Sequence, residues 1–216
     1  KVIRTKNRAL ASSKISTKNA LIFLLTLLVI GFLILIQLNF EAIILGIVIT
    51  PLIALYPLAK RFFILPQFIL ALTYNWGCFI GWAALGSNIP FSSIIILYLS
   101  LIFWTLAYDT IYATQDEKED KKLNLYSSTL LFGSKKMIFL NLMIITKYFL
   151  IIFYGSSLDF GFIFNILVLT ISLINLLDLN LIWKNKPENA SSYFSRNNYY
   201  GISLLFSIII GSHFNV

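Results

Sequence analysis

Seven long stretches of this chain carry almost no charge, and that pattern limits what it can fold into more than any other feature. They run approximately over Ala20–Phe40, Ala42–Ala59, Pro66–Leu85, Phe91–Tyr112, Thr129–Tyr154, Phe160–Trp183 and Tyr199–His213, the last being the shortest. A helix needs about 20 apolar residues to cross a bilayer, and several of these stretches reach that length. In lipid a backbone must satisfy its own donors and acceptors, which leaves helices or closed barrels, and the alternation of barrel strands is absent here. Charged residues are 12% of the 216, against about 25% in soluble domains. The expected fold is all-α, a polytopic transmembrane helix bundle. The joints, such as Gly86-Ser87-Asn88-Ile89-Pro90 and Gly155-Ser156-Ser157, are too short for a second domain, so residues 1–216 form a single transmembrane domain.

The basic residues orient the bundle. Of 17 Lys and Arg, 16 fall in alternate connections, namely residues 1–19, 60–61, 118–136 and 184–196. By the positive-inside rule that face is cytoplasmic. Topology therefore accounts for the net charge of +8, and no nucleic-acid partner is needed to explain it. The exception is Lys147, inside the fifth stretch, where snorkelling of its long stem toward the extracytoplasmic surface is the expected solution. Cys78 is the only cysteine, which excludes a disulfide and a cysteine zinc site. His213 stands far from other metal-ligating residues. The chain opens at Lys1 without a methionine, and an N-terminal portion is expected to precede it.

Five of the nine acids lie between Asp109 and Asp120, at the basic-side end of the fourth stretch. At about 100° per residue, Asp116 and Asp120 each fall about 20° from Asp109, on opposite sides, so the three line one helix face. Close carboxylates repel one another and invite a divalent cation; hard oxygen ligands in small number suit magnesium that also binds substrate phosphates. A solvated acidic loop balanced by Lys118, Lys121 and Lys122 is the plainer alternative, but an acid as deep as Asp109 is costly without a function or a partner. Lys60 and Arg61 close the second stretch and read either as a topological anchor or, through the guanidinium fork, as a carboxylate or diphosphate contact.

At these residues the sequence resembles the UbiA-type family of aromatic prenyltransferases. The resemblance rests on Val2-Ile3-Arg4-Thr5-Lys6-Asn7-Arg8-Ala9-Leu10-Ala11-Ser12-Ser13 and on Tyr56-Pro57…Lys60-Arg61…Pro66-Gln67…Trp76-Gly77. The most specific block is Tyr108-Asp109-Thr110-Ile111-Tyr112-Ala113…Asp116…Asp120, and Pro187-Glu188…Phe194…Asn198…Gly201 is the weakest. It implies a nine-helix fold with a central lipid-accessible cavity, of which seven helices would be present here, and a first aspartate motif expected just before Lys1.

The resemblance further implies Mg2+-dependent transfer of a polyprenyl group from polyprenyl diphosphate to 4-hydroxybenzoate, in ubiquinone biosynthesis, at a bacterial or organelle inner membrane with the active-site loops cytoplasmic. Asp116 and Asp120 would be metal ligands, with Asp109 a ligand or an orienter of ligands. Arg61, with Lys60, would hold the acceptor's carboxylate. Arg4, Arg8, Tyr108, Tyr112, Lys121 and Lys122 are further substrate contacts. Tyr74, Trp76, Trp82, Trp104 and Tyr108 are candidates for an aromatic wall shielding an allylic cation, each equally readable as packing or an interfacial belt. The family's Lys-Ser pair is replaced by Tyr126-Ser127, and its glycines by Ser13 and Asn124; Lys121 and Lys122 stand near enough to replace the lost lysine. Competing readings are another acceptor (haem, a naphthoate or a homogentisate), an inactive remnant, or a membrane transporter.

Overall fold

The computed structural model describes residues 7–86 and 88–213, and all regular structure among them is helical. Arg4 lies outside the described residues. The elements are α1 (Thr17–Leu35), α2 (Phe40–Leu55), α3 (Ala59–Phe62), α4 (Pro66–Asn75), α5 (Gly77–Ala84), α6 (Phe91–Ala113), α7 (Glu117–Lys122), α8 (Ser128–Phe132), α9 (Lys136–Ser156), α10 (Phe162–Leu177) and α11 (Ala190–His213). Five helical runs are long and apolar enough to cross a membrane: Thr17–Leu35, Phe40–Phe62, Phe91–Lys122, Ser128–Ser156 and Phe162–Trp183. The α4–α5 pair and α11 complete the seven passes expected from the sequence.

Several boundaries differ from the apolar pattern, each for a local reason. The first stretch ends at Leu35, because Asn39 caps α2 by accepting a hydrogen bond from the Ala42 amide at 3.0 Å. A capping side chain satisfies an orphan amide that an unbroken helix would not present. The third stretch is broken at Trp76, between α4 and α5. Its indole donates to the Leu45 carbonyl at 3.0 Å and packs edge-on against Phe79 and Tyr98. The fifth stretch is interrupted at Gly133, whose φ of +46° suits a residue without a Cβ. The last helix begins at Ala190, nine residues before the apolar run, because polar Ser, Asn and Tyr side chains extend it at the basic end.

The core forms where α6 meets α9, with α4 packed on another side of α6, α10 on α9, and α11 on α10 and α6. Small residues make the close approach possible: Ser93, Ser100, Thr105, Ala107, Thr110 and Ala113 are all buried on α6. In lipid the drive for helix association is close packing and interhelical hydrogen bonding, and small residues favour both. Gly155 serves the same end between α9 and α10, where any side chain would overlap the ring of Phe164. By contrast the leucines and isoleucines of α1 from Leu21 to Ile34 are exposed, as expected of surface matched to hydrocarbon.

Lys147 departs from its expected position. It is fully buried rather than snorkelling, because it lies on the face of α9 packed into the bundle.

Candidate active site

The basic-side end of the bundle gathers the acids of the fourth stretch and the lysine of the second. α6 does not continue as one helix through the acidic run. A 3₁₀ turn over Thr114–Asp116 separates it from α7, so the ideal 100° spacing does not extend to Asp116 and Asp120. The tighter turn leaves Asp116 half-buried, and α7 carries Asp120 inward until only 3% of its side chain is exposed.

Asp120 is held by Lys60. The Nζ atom lies 2.8 Å from Oδ2 and 3.2 Å from Oδ1, and Lys60 is itself 40% exposed. The backbone reinforces this clasp: the Tyr126 amide donates to the Lys60 carbonyl at 2.9 Å, and the Leu125 amide to the Asp120 carbonyl at 2.9 Å. Two further bonds tie α8 to the bundle. The Ser128 amide donates to Gln67 Oε1 at 3.0 Å, and Thr110 Oγ1 donates to Ser128 Oγ at 2.7 Å. Lys136 pairs with Glu117 at 2.5 Å across the same connection.

Asp109 and Tyr108, successive residues on α6, face different spaces. Asp109 lines a small cavity of about 120 Å³ with Tyr56, Pro57, Lys60, Pro66 and Gln67. Tyr108 lines a larger cavity of about 720 Å³ between α4, α6 and α11, with Tyr74, Asn75, Trp104 and Phe194 among its walls. Tyr112 and Tyr108 both pack on Phe194, at ring-centroid distances of 4.9 and 5.5 Å. A third cavity of about 940 Å³, on the α7–α8 side, includes Lys121 and Tyr126 in its wall.

The expected site residues thus divide. Lys60 and Asp109 line the small cavity and Tyr108 the larger one, while Asp120 is buried behind Lys60 and Asp116 stands between α6 and α7. Arg61 is exposed on α3 and lines none of the three cavities described, so Lys60 is the member of the pair that reaches the acids. Lys122 is exposed on α7, and Arg8 is exposed in the turn preceding α1. Of the aromatic candidates, Tyr74, Trp104 and Tyr108 line the 720 Å³ cavity. Trp76 and Trp82 are packing residues; the Trp82 indole donates to the Ile89 carbonyl at 2.8 Å, at the opposite end of the bundle.

Sequence reasoning missed Asn75 and Asn197. Asn75 donates to the carbonyls of Ala71 (2.8 Å) and Leu101 (3.1 Å) and to Thr105 Oγ1 at 2.8 Å, which pins α4 to α6 beside the cavity. Asn197 Oδ1 accepts from the Trp104 indole at 2.9 Å. Their signal was a carboxamide within or beside an apolar run, where polar groups require partners.

The donor chemistry suits a divalent cation that is completed by its substrate. Asp109, Asp116 and Asp120 offer hard carboxylate oxygens, yet Asp120 is already engaged by Lys60. Among the described residues no three His, Cys, Asp or Glu side chains converge as a site sufficient for a metal alone. One or two carboxylates completed by phosphate oxygens and water is the usual arrangement for magnesium.

A polytopic helical bundle, with carboxylates at its basic end beside an aromatic cavity, defines the class: an integral membrane enzyme acting where lipid meets water. The model of the UbiA prenyltransferase family matches residues 1–205, and the chain belongs to that family; it is a prenyltransferase. A 4-hydroxybenzoate octaprenyltransferase of Francisella tularensis subsp. novicida (strain U112) is 36% identical over 209 residues, covering 97% of this chain and 73% of the relative. A mitochondrial 4-hydroxybenzoate polyprenyltransferase of Drosophila pseudoobscura pseudoobscura is 41% identical over 141 residues, 65% of this chain and 36% of the relative. In a solved structure concerning digeranylgeranylglyceryl phosphate synthase in membranes, the fold is shared. The TM-score is 0.68 at 22% identity, over 97% of this chain and 75% of that one.

Proposed function

We propose that this prenyltransferase transfers a polyprenyl group from polyprenyl diphosphate to the ring of 4-hydroxybenzoate, with magnesium as the cation, in ubiquinone biosynthesis. The observation that carries the reading is the pair Tyr108–Asp109. One side chain lines an aromatic cavity large enough for an isoprenoid and an aryl ring, and its neighbour lines a charged cavity with Lys60. The 4-hydroxybenzoate-specific names of relatives that cover most of this chain support the acceptor.

In this mechanism the diphosphate and acceptor carboxylate stay at the basic, cytoplasmic end while the polyprenyl tail enters from lipid. Asp116 and Asp109 would hold the cation, and Asp120, clasped by Lys60, fixes α7 and with it the position of Asp116. When bound, the cation neutralises the leaving diphosphate. The C1–O bond of the prenyl diphosphate breaks with its electron pair going to the diphosphate. From the flanking segments Arg4, Arg8, Lys121 and Lys122 would stabilise the negative charge where it develops. The ring carbon ortho to the acceptor's hydroxyl bonds to C1, and that carbon then releases its proton. Arg61 would hold the acceptor's carboxylate through its planar fork, and Tyr108 and Tyr112 would shape the wall against the ring.

The test is product formation in membranes carrying the full-length protein, with labelled polyprenyl diphosphate and 4-hydroxybenzoate. Prenylated 4-hydroxybenzoate should form, disappear on chelation and return with added magnesium. Prenylation of a naphthoate or homogentisate with none of 4-hydroxybenzoate would overturn the acceptor. Undiminished product in the presence of chelator would overturn the cation.

A further inference from the structure

The mechanism leaves Lys147 unused, although it is the least economical residue in the bundle. It sits near the middle of α9, about 16 Å along the helix from Lys136 at 1.5 Å per residue, and its side chain is 0% exposed. Among the described residues its Nζ has no hydrogen-bond partner. An amine at that depth is costly, and a Met of similar length would pack there without the cost. What Nζ does touch is aromatic: it lies 4.1 Å from the ring centroid of Trp104 and 3.9 Å from that of Tyr148.

Trp104 is also restrained at its other edges. Its Nε1 donates to Asn197 Oδ1 at 2.9 Å. Its benzo edge lies against Gly201, where an added Cβ would stand 3.3 Å from Cη2. Tyr148, the other ring on Lys147, is fixed in turn, because Asn175 donates to its hydroxyl at 3.0 Å and accepts from Tyr193 at 2.5 Å. The amine is therefore wedged between an anchored phenol and the indole that walls the 720 Å³ cavity. Trp104 stands one helical turn below Tyr108, about 6 Å deeper. In the reaction proposed above, on which this inference rests, that is where the first isoprene unit would lie.

We propose that Lys147 is a positioning residue that locks Trp104 as a rigid, water-excluding wall beside the reacting allylic group. The alternative fate of that group is hydrolysis. Water adds to C1 as the C1–O bond to diphosphate breaks, one proton is released, and the products are the prenyl alcohol and diphosphate. A fixed indole keeps water from C1, so capture by the aromatic acceptor prevails. A loosened one admits water without affecting the groups that bind diphosphate.

The experiment measures prenyl alcohol and prenylated acceptor together, in membranes carrying the full-length protein. Lys147→Met keeps the stem and removes the amine. The ratio of alcohol to prenylated acceptor should rise about tenfold, which corresponds to about 1.4 kcal/mol of lost discrimination between water and the acceptor. Trp104→Phe, which loses the Asn197 bond and most of the contact with Nζ, should raise the ratio similarly. Adding Lys147→Met to Trp104→Phe should raise it little further, since the two act as one unit. If Lys147→Met does not accumulate, Trp104→Phe alone carries the test. A ratio equal to that of the unaltered protein, whatever the total activity, would overturn the inference by showing a purely structural lysine. No prenylated acceptor from the unaltered protein would instead overturn the acceptor reading, and this inference with it.

Discussion

The two acidic centres at the basic end of the bundle are built differently. Asp178, at the end of α10, is closed on the α11 side: its Oδ2 accepts from Arg196 at 3.0 Å and also from the Tyr200 hydroxyl. Both donors come from one helix, so the carboxylate serves as a tie between α10 and α11. The α6–α7 cluster spreads its acids instead. Asp120 is clasped by Lys60 from a different part of the chain, Asp109 opens on a cavity, and Asp116 sits at the junction of the two helices. Burial alone does not separate a structural carboxylate from a functional one. In the proposed mechanism the separation comes from whether a carboxylate is taken up by the fold, as Asp178 and Asp120 are, or borders a cavity, as Asp109 does.

Four substitutions sharpen or break that contrast. Asp116→Ala should lower prenylated product by about 100- to 1000-fold, the scale for losing one group that stabilises developing charge, with the amount of protein in the membrane unchanged. Lys60→Met leaves the buried Asp120 without its cation. The half-exposed lysine limits the cost to about 1–2 kcal/mol, but α7 loosens, and turnover should fall about tenfold as Asp116 loses its position. Asp178→Asn should cost about 1–2 kcal/mol of stability, read as an earlier thermal unfolding in detergent, with turnover within about threefold of the parent. Tyr200→Phe removes one of two donors to Asp178 and should cost about 1 kcal/mol or less, a small shift in the same assay. Loss of turnover in Asp178→Asn with none in Asp116→Ala would exchange the roles of the two centres.

Much of this architecture was legible in the sequence. Uncharged runs and the basic residues in alternate connections specify how many times the chain turns back, because hydrocarbon penalises every alternative. The acids between Asp109 and Asp120 stand at the basic end of the bundle, where α6 gives way to α7. What remained hidden depends on single side chains meeting across the fold. Composition cannot show that Trp76 breaks the third pass by reaching the Leu45 carbonyl, nor that Lys60 rather than its neighbour Arg61 turns toward Asp120, since adjacent cations look alike until the chain is folded. Lys147 was misread because a long stem permits snorkelling equally well on any face. Only the packing of α9 showed that its face was the inner one.

The segment that joins α10 to the final helix carries one further consequence. Residues Asp178–Trp183 form a π-helix, which closes each turn with one residue more than an α-helix uses. That added residue brings Leu179 and Trp183 to full burial while leaving Leu181 exposed, and it ends at Lys184 in the left-handed region with φ of 50°. Length is therefore what this stretch has to conserve, more than identity. Exchanging Leu181 for another apolar residue leaves the alignment intact. Deleting one residue from the segment would restore α geometry and turn everything beyond it by about 100°, carrying Trp183 out of its pocket and shifting the entry into α11. A tolerated deletion there would have to be matched by a compensating insertion before Ala190.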